Sequence, residues 1–139
     1  MIIADTGFWL ALSNRRDRHH QTAKTLLSEL REPLITTWPV LTETCHLLLN
    51  RIGNVAQGRF IQSYASGAFE VLDLSRDDAP KVAKYMKKYA DLPMDLADAS
   101  LLLLAEHLGH GRILSTDERD FKTYRWKHHK PFTNLLSTV

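Results

Sequence analysis

An α/β fold is predicted for this 139-residue chain, a three-layer α/β/α sandwich around a mostly parallel central sheet of four or five short strands. Three observations predict it. Two short strand-like runs, Met1–Ala4 and Arg112–Ser115, each give way to an acid, Asp5 and Asp117. Between them, apolar residues recur at helical spacing in stretches separated by further short strand-like runs. The helix predicted from Leu96 to His107 is apolar nearly all round, which suits an interior position. With 44% hydrophobic residues the chain is long enough to bury one substantial core, and residues 1–139 read as a single domain.

Each element has its own reason. Met1-Ile2-Ile3-Ala4 is a buried strand, and Phe8–Leu12 begins a short helix after Asp5-Thr6-Gly7. Arg15–His20 reads as an exposed connection. Ala23, Leu26, Leu27 and Leu30 have helical spacing that Pro33 ends. Leu34-Ile35-Thr36 is a second strand; Thr37 can cap the helix that follows, with Pro39 tolerated in its first turn and the helix running to about Ile52-Gly53. A helix from Val55 to Tyr64 leads to a strand over Ala68–Leu74. Ser75 opens the next helix, in which Val82, Tyr85, Met86 and Tyr89 line one face and Lys81, Lys84, Lys87 and Lys88 the other. Gly109 stops the apolar helix, and Arg112–Ser115 is the fourth strand.

Composition narrows the function classes. Lys+Arg 18 against Asp+Glu 16 leaves a net charge of +2, too small to specify a partner by itself. The one cysteine, Cys45, excludes an intramolecular disulfide and fits a reducing compartment. No leader-like segment and no apolar stretch of about 18 residues is present, so a soluble cytoplasmic protein with no membrane association is expected.

Asp98 is the residue that most needs an explanation. It shares a helical stripe with Leu101, Leu102 and Ala105, and no lysine or arginine lies within a turn. A buried carboxylate must be protonated, paired or held by a cation. In open parallel sheets, ligands bind beyond the carboxyl ends of the strands, where Asp5 and Asp117 both belong. Asp98, early in its helix, and Glu43, on the stripe of Val40 and Leu47, can complete a group of four. Crowded carboxylates call for a hard divalent ion, Mg²⁺ or Mn²⁺, one or two per site, which takes oxygen ligands and activates water toward a phosphodiester.

Simpler readings stand beside these. Asp5 can cap the first helix, Asp95 reads first as the N-cap of the Asp98 helix, and Asp117 with Asp120 can be cap and third residue of one short helix. Thr6 and Thr116 hold either bound water or phosphate, or only their own turns. Lys122, Arg125, Trp126, Lys127 and Lys130, with Tyr124, form an acid-free run that can bind RNA through phosphates and base stacking, or a solvated tail with buried aromatics. Arg15, Arg16, Arg18, His19 and His20 are a second possible contact for RNA or a partner protein, and equally a charged loop. His107 and His110 suit a helix C-terminus, and adjacent Cys45 and His46 diverge by about 100° on a helix, which argues against a dyad.

Taken in order, Ile2-Ile3-Ala4-Asp5-Thr6-Gly7, Leu41-Thr42-Glu43, Leu96-Ala97-Asp98-Ala99 and Ser115-Thr116-Asp117 with Asp120-Phe121 resemble the acidic motifs of the PIN-domain ribonucleases, in particular the VapC-type toxins of toxin-antitoxin pairs. The resemblance runs over nearly the whole chain. It implies a PIN-like fold and Mg²⁺- or Mn²⁺-dependent endonucleolytic cleavage of RNA to a 5′-phosphate and a 3′-hydroxyl. It also implies Asp5, Glu43, Asp98 and Asp117 as catalytic metal ligands, Asp95, Asp120, Thr6 and Thr116 as accessory groups, inhibition by a cognate antitoxin, and a homodimer.

Three rivals are weighed against it. Asp5-Thr6-Gly7 is also the aspartic-protease signature, but those enzymes need two such acids on a mostly β scaffold and would leave Glu43 and Asp98 without a role. A divalent-metal phosphatase would add a phosphate-binding lysine or Gly-rich loop, neither of which is in place. A non-catalytic RNA- or protein-binding domain of the same fold is the third.

Overall fold

The computed structural model describes residues 1–138. The elements run β1 (Ile2–Ala4), α1 (Thr6–Ser13), α2 (His20–Glu29), β2 (Leu34–Thr37), α3 (Trp38–Arg51), α4 (Asn54–Ala65), β3 (Phe69–Leu72), α5 (Ala79–Lys88), α6 (Leu96–Leu108), β4 (Arg112–Leu114), α7 (Glu118–Thr123), β5 (Arg125–Trp126), β6 (Lys130–Pro131) and β7 (Thr133–Asn134). Strands β3-β2-β1-β4-β7 form one sheet in that order, with every pairing parallel, and the helices flank it. The chain builds outward from β1 to β2 and β3, then returns to lay β4 on the other side of β1. That reversal leaves a crevice beyond the carboxyl ends of β1 and β4.

Strands β1 and β2 are wholly buried, as their unbroken apolar or small side chains require of a parallel sheet covered on both faces. Helix α6 is the centre of the core: Leu101, Leu102, Leu103, Leu104 and Ala105 are all fully buried. Gly109, left-handed at φ 78, ends it. A second apolar group stacks Trp9, Phe60, Tyr64 and Phe69 between α1, α4 and β3. Among the described residues, no helix is long and apolar enough to cross a membrane.

Four local differences from the sequence reading have physical reasons. Thr37 occupies the N-cap position of α3, yet its hydroxyl is spent on Ser100 Oγ of α6 at 2.6 Å, tying the two elements together instead of capping. Ser75 and Asp78 form a reciprocal capping box around one 3₁₀ turn, so α5 itself starts at Ala79. The third strand is shorter than the apolar run that predicts it. The fifth strand, Thr133–Asn134, is two residues long and polar, a pattern too brief to read as a strand.

Candidate active site

Asp5 follows β1 directly, and its Oδ1 accepts from Thr6 N at 2.7 Å, so it caps α1. Its Oδ2 accepts from Ser115 Oγ at 2.9 Å, across the switch point. The capping reading of Asp5 is therefore met, while its oxygens lie outside the close carboxylate group that Asp98 forms with Asp117 and Asp120. The side chain is buried, which pushes its pKa up to about 7; Ser115 and Thr6 oppose that rise, while Glu43 and Asp117 add to it.

Asp98 lies in the first turn of α6. The N-cap is Asp95, whose Oδ1 accepts from Asp98 N at 2.9 Å, as the capping reading expects. Asp98 Oδ2 accepts from the Tyr124 hydroxyl at 2.7 Å. Burial again dominates and lifts the Asp98 pKa to about 8, Asp5, Asp95 and Asp117 contributing in the same direction. Among the described residues neither carboxyl forms an ion pair with a lysine or arginine.

Asp117 caps α7 by accepting from Asp120 N at 3.1 Å, and its own N donates to Ser115 Oγ at 2.9 Å. Carboxylate oxygens of Asp98, Asp117 and Asp120 all lie within 4.8 Å of one another. Asp120, expected as an accessory acid, thus stands inside the tightest group among the described residues. Glu43, expected as a principal ligand, stands at its margin: half-buried on α3, it raises the pKa of Asp5 and is itself raised by burial and by Asp95.

Thr6 and Thr116 flank these acids. Thr6 Oγ1 is buried without a hydrogen-bond partner, in the neighbourhood of Glu43 but outside bonding geometry. Thr116 lies over Gly7 so closely that a Cβ at that glycine would come within 1.9 Å of Thr116 Oγ1. Gly7 is needed for that approach, because any side chain there would push Thr116 away from the crevice.

The donor set suits a hard divalent cation. Carboxylates that raise one another's pKa, hydroxyls beside them, and a buried hydroxyl with an unmet bond are what such an ion would satisfy.

The PIN family model matches residues 2–127, most of the chain. The chain belongs to the PIN-domain family. It is 26% identical to Ribonuclease VapC26 of Mycobacterium tuberculosis over 124 residues, which is 89% of this chain and 92% of that protein. The 23S rRNA-specific endonuclease VapC20 of the same organism is 45% identical over 56 residues, 40% of this chain and 43% of that one. A crystal structure of M. tuberculosis VapC20, described as a sarcin-ricin loop cleaving toxin, superposes with a TM-score of 0.79 at 25% identity, covering 86% of this chain and 92% of that one.

Within this PIN domain, two residues of the site carry a signal that sequence reading did not use. Ser115 joins Asp5 to Asp117 through one hydroxyl, and it is a polar residue ending an apolar strand. Tyr124 is fully buried between Tyr89 and Phe121, one of the two readings its run allows, and its hydroxyl donates to Asp98. Asn134 adds a third link that sequence could not show, since its side chain bonds both the N and the O of Ser115.

In the basic run the structure meets the alternative reading, a solvated tail with buried aromatics. Trp126 is 5% exposed, with its Nε1 donating to Pro131 O, so it packs the PIN domain and offers no face to a base. Arg125 Nη1 donates to the carbonyls of Lys122, Thr123 and Tyr124 and closes the end of α7. Lys122, Lys127 and Lys130 remain exposed, the last two over the Trp126 ring. His20 turns its ring to Ala11 O at 2.7 Å, and His107 faces Asp78 at 3.6 Å.

Proposed function

We propose that this PIN domain is a metal-dependent endoribonuclease, the toxin of a type II toxin-antitoxin pair, folded as one domain over residues 1–139. The observation that carries the reading is the close group of Asp98, Asp117 and Asp120 carboxylates at the β1/β4 switch point, beside the buried Asp5. The likeness to proteins named as ribonucleases supports it and supplies the substrate class.

Asp5, Asp98 and Asp117 are the proposed direct ligands of Mg²⁺ or Mn²⁺. Glu43 completes the set, with Asp95, Asp120, Thr6 and Thr116 acting through water. When bound, such an ion lowers the pKa of a water and offsets charge building on the phosphodiester. This chain's own residues orient the donors. Ser115 fixes one oxygen of Asp5 and the backbone of Asp117, Thr6 N fixes the other oxygen of Asp5, and Tyr124 holds Oδ2 of Asp98. Gly7 keeps Thr116 at the rim. The proposed partners are an RNA substrate, a cognate antitoxin protein and a second copy of the chain, in the cytoplasm.

The test is cleavage of RNA by the purified protein with and without Mg²⁺ or Mn²⁺. Cutting that needs the ion and disappears in Asp98→Asn, with the circular dichroism spectrum retained, is the expected result. Preferred turnover of phosphate monoesters would favour the phosphatase, and RNA binding without cutting would favour a binding module.

A further inference from the structure

A cavity of about 510 Å³ adjoins the acid group on the side of the turn before α2, and Ser115, Thr116 and Asp117 line both. Its other wall carries Arg18 and His19 just before α2, Thr22 in the first turn of that helix, Arg119 beside the acidic Glu118 on α7, and Ser137. We infer that this cavity is a subsite for a backbone phosphate of the RNA strand next to the phosphodiester that is cut. The inference rests on the nuclease reading and deepens it by placing the flanking strand.

Four observations support it. Among the described residues Arg18 pairs with no carboxylate; its Nε donates to His19 Nε2 at 3.1 Å, which holds the guanidinium beside the ring and puts the imidazole proton on Nδ1. The turn is fixed from within, Asn14 Oδ1 accepting from Arg16 N at 3.0 Å and Asp17 Oδ1 from His19 N at 2.8 Å, so the cations are presented by an ordered segment. Arg119 reaches Asp120 at 3.3 Å and is the cation whose field acts on Asp117. The crevice otherwise repels polyanions, and a strand that reaches the carboxylates needs positive charge at their rim. The cavity supplies it where the two sites meet, through Arg18 and Arg119, with hydroxyls of Thr22 and Thr116 as further phosphate donors. Its volume exceeds what a free phosphate needs and suits a nucleotide unit.

The test measures binding of a single-stranded oligoribonucleotide in EDTA, where no cutting occurs, across a range of salt concentrations. Arg18→Ala is expected to weaken binding about tenfold at low salt and to reduce the slope of log K against log salt by about one. Arg18→Lys should keep much of the slope. Arg15→Ala, on the same turn but not lining the cavity, is the control that should leave both quantities near the wild-type values.

Equal losses for Arg15→Ala and Arg18→Ala would overturn the inference, because they would reduce it to general attraction. Unchanged RNA binding in Arg18→Ala would overturn it too, including the case in which that variant loses only an acidic partner protein. Failure of the wild type to cut RNA in Mg²⁺ or Mn²⁺ would instead sink the nuclease reading, so the two failures are separable.

Discussion

The two edges of the central sheet handle charge in opposite ways. At the amino edge, where β1, β2 and β4 begin, Glu32 accepts from Arg112 Nη1 at 2.5 Å and Nη2 at 2.8 Å and from the Met1 amine at 3.2 Å, and these partners hold its carboxyl down at about 2. At the carboxyl edge, Asp5, Glu43, Asp98 and Asp117 are all displaced upward, with burial the largest cause in each. One edge is paired and exposed; the other is crowded and partly to fully buried. The fold thus keeps an electrostatic deficit at one end of the sheet, and the deficit is what makes that end able to bind an ion.

Removing a member of the crowded edge should have the largest effect. Asp98→Asn is expected to lower RNA cleavage by about a hundredfold to a thousandfold, read as kcat at saturating Mn²⁺, while the metal-free protein melts higher than wild type at pH 8. Loss of activity accompanied by a lower melting temperature would mean that Asp98 serves the fold and that the contrast between the edges is false.

Tyr124→Phe sharpens the contrast within the crowded edge. It keeps the ring packed between Tyr89 and Phe121 and removes only the donor to Asp98 Oδ2. A loss of about tenfold in Mn²⁺ affinity is expected, measured calorimetrically, as for other groups that orient a metal ligand. An unchanged affinity would show that the phenol only fills space.

Gly7→Ala should act through sterics alone. The added methyl would overlap Thr116 Oγ1, and displacing that side chain is expected to cost about 1–3 kcal/mol by denaturant unfolding. Adding Thr116→Ala should recover part of that loss, so the pair should be non-additive in a double-mutant cycle.

How far the sequence could reach follows from which interactions are local. Apolar periodicity exposed the buried strands, and helix α6 was legible because an all-round apolar run has few other places to go. The four acids were legible because each stands at a strand end or on an apolar stripe. The tight grouping of Asp120 with Asp98 and Asp117 was not, since it depends on how one turn of α7 lies against another helix. Ser115 and Asn134 were hidden for a similar reason: a hydroxyl bridging residues 110 positions apart leaves no local pattern. Trp126 left two readings open because an aromatic among lysines suits either base stacking or a core; its indole packs so tightly beside Gly111 that a Cβ there would meet Nε1 at 2.6 Å.

The edges also separate along the pH axis. Unfolded, Asp5 and Asp98 would titrate near 3.8; folded and metal-free, they hold their protons to about 7 and about 8. The folded state therefore binds more protons across that window, and its stability is full below about pH 4 and lost as pH rises through 7 and 8. Metal-free protein should accordingly melt lower at pH 8 than at pH 5, and Mg²⁺ should flatten the decline by favouring the ionised carboxylates in the folded state. Glu32 carries the opposite sign. Its folded value of about 2 lies below its unfolded 4.5, so its contribution is present above 4.5 and fades as pH falls toward 2.

Glu32→Gln is the smallest of these perturbations, because the pair is solvent-exposed and screened. The variant should melt slightly below wild type at neutral pH and converge with it near pH 2, with the gap shrinking in high salt. Cleavage should not change, since Glu32 precedes β2 and every proposed ligand lies on the other edge. The strand between is short: β1 carries only Ile2, Ile3 and Ala4 from the Met1 amine to Asp5. A fall in metal affinity in Glu32→Gln would therefore show that loosening one end of β1 moves Asp5 at the other, and that three buried residues transmit strain between the edges instead of insulating them.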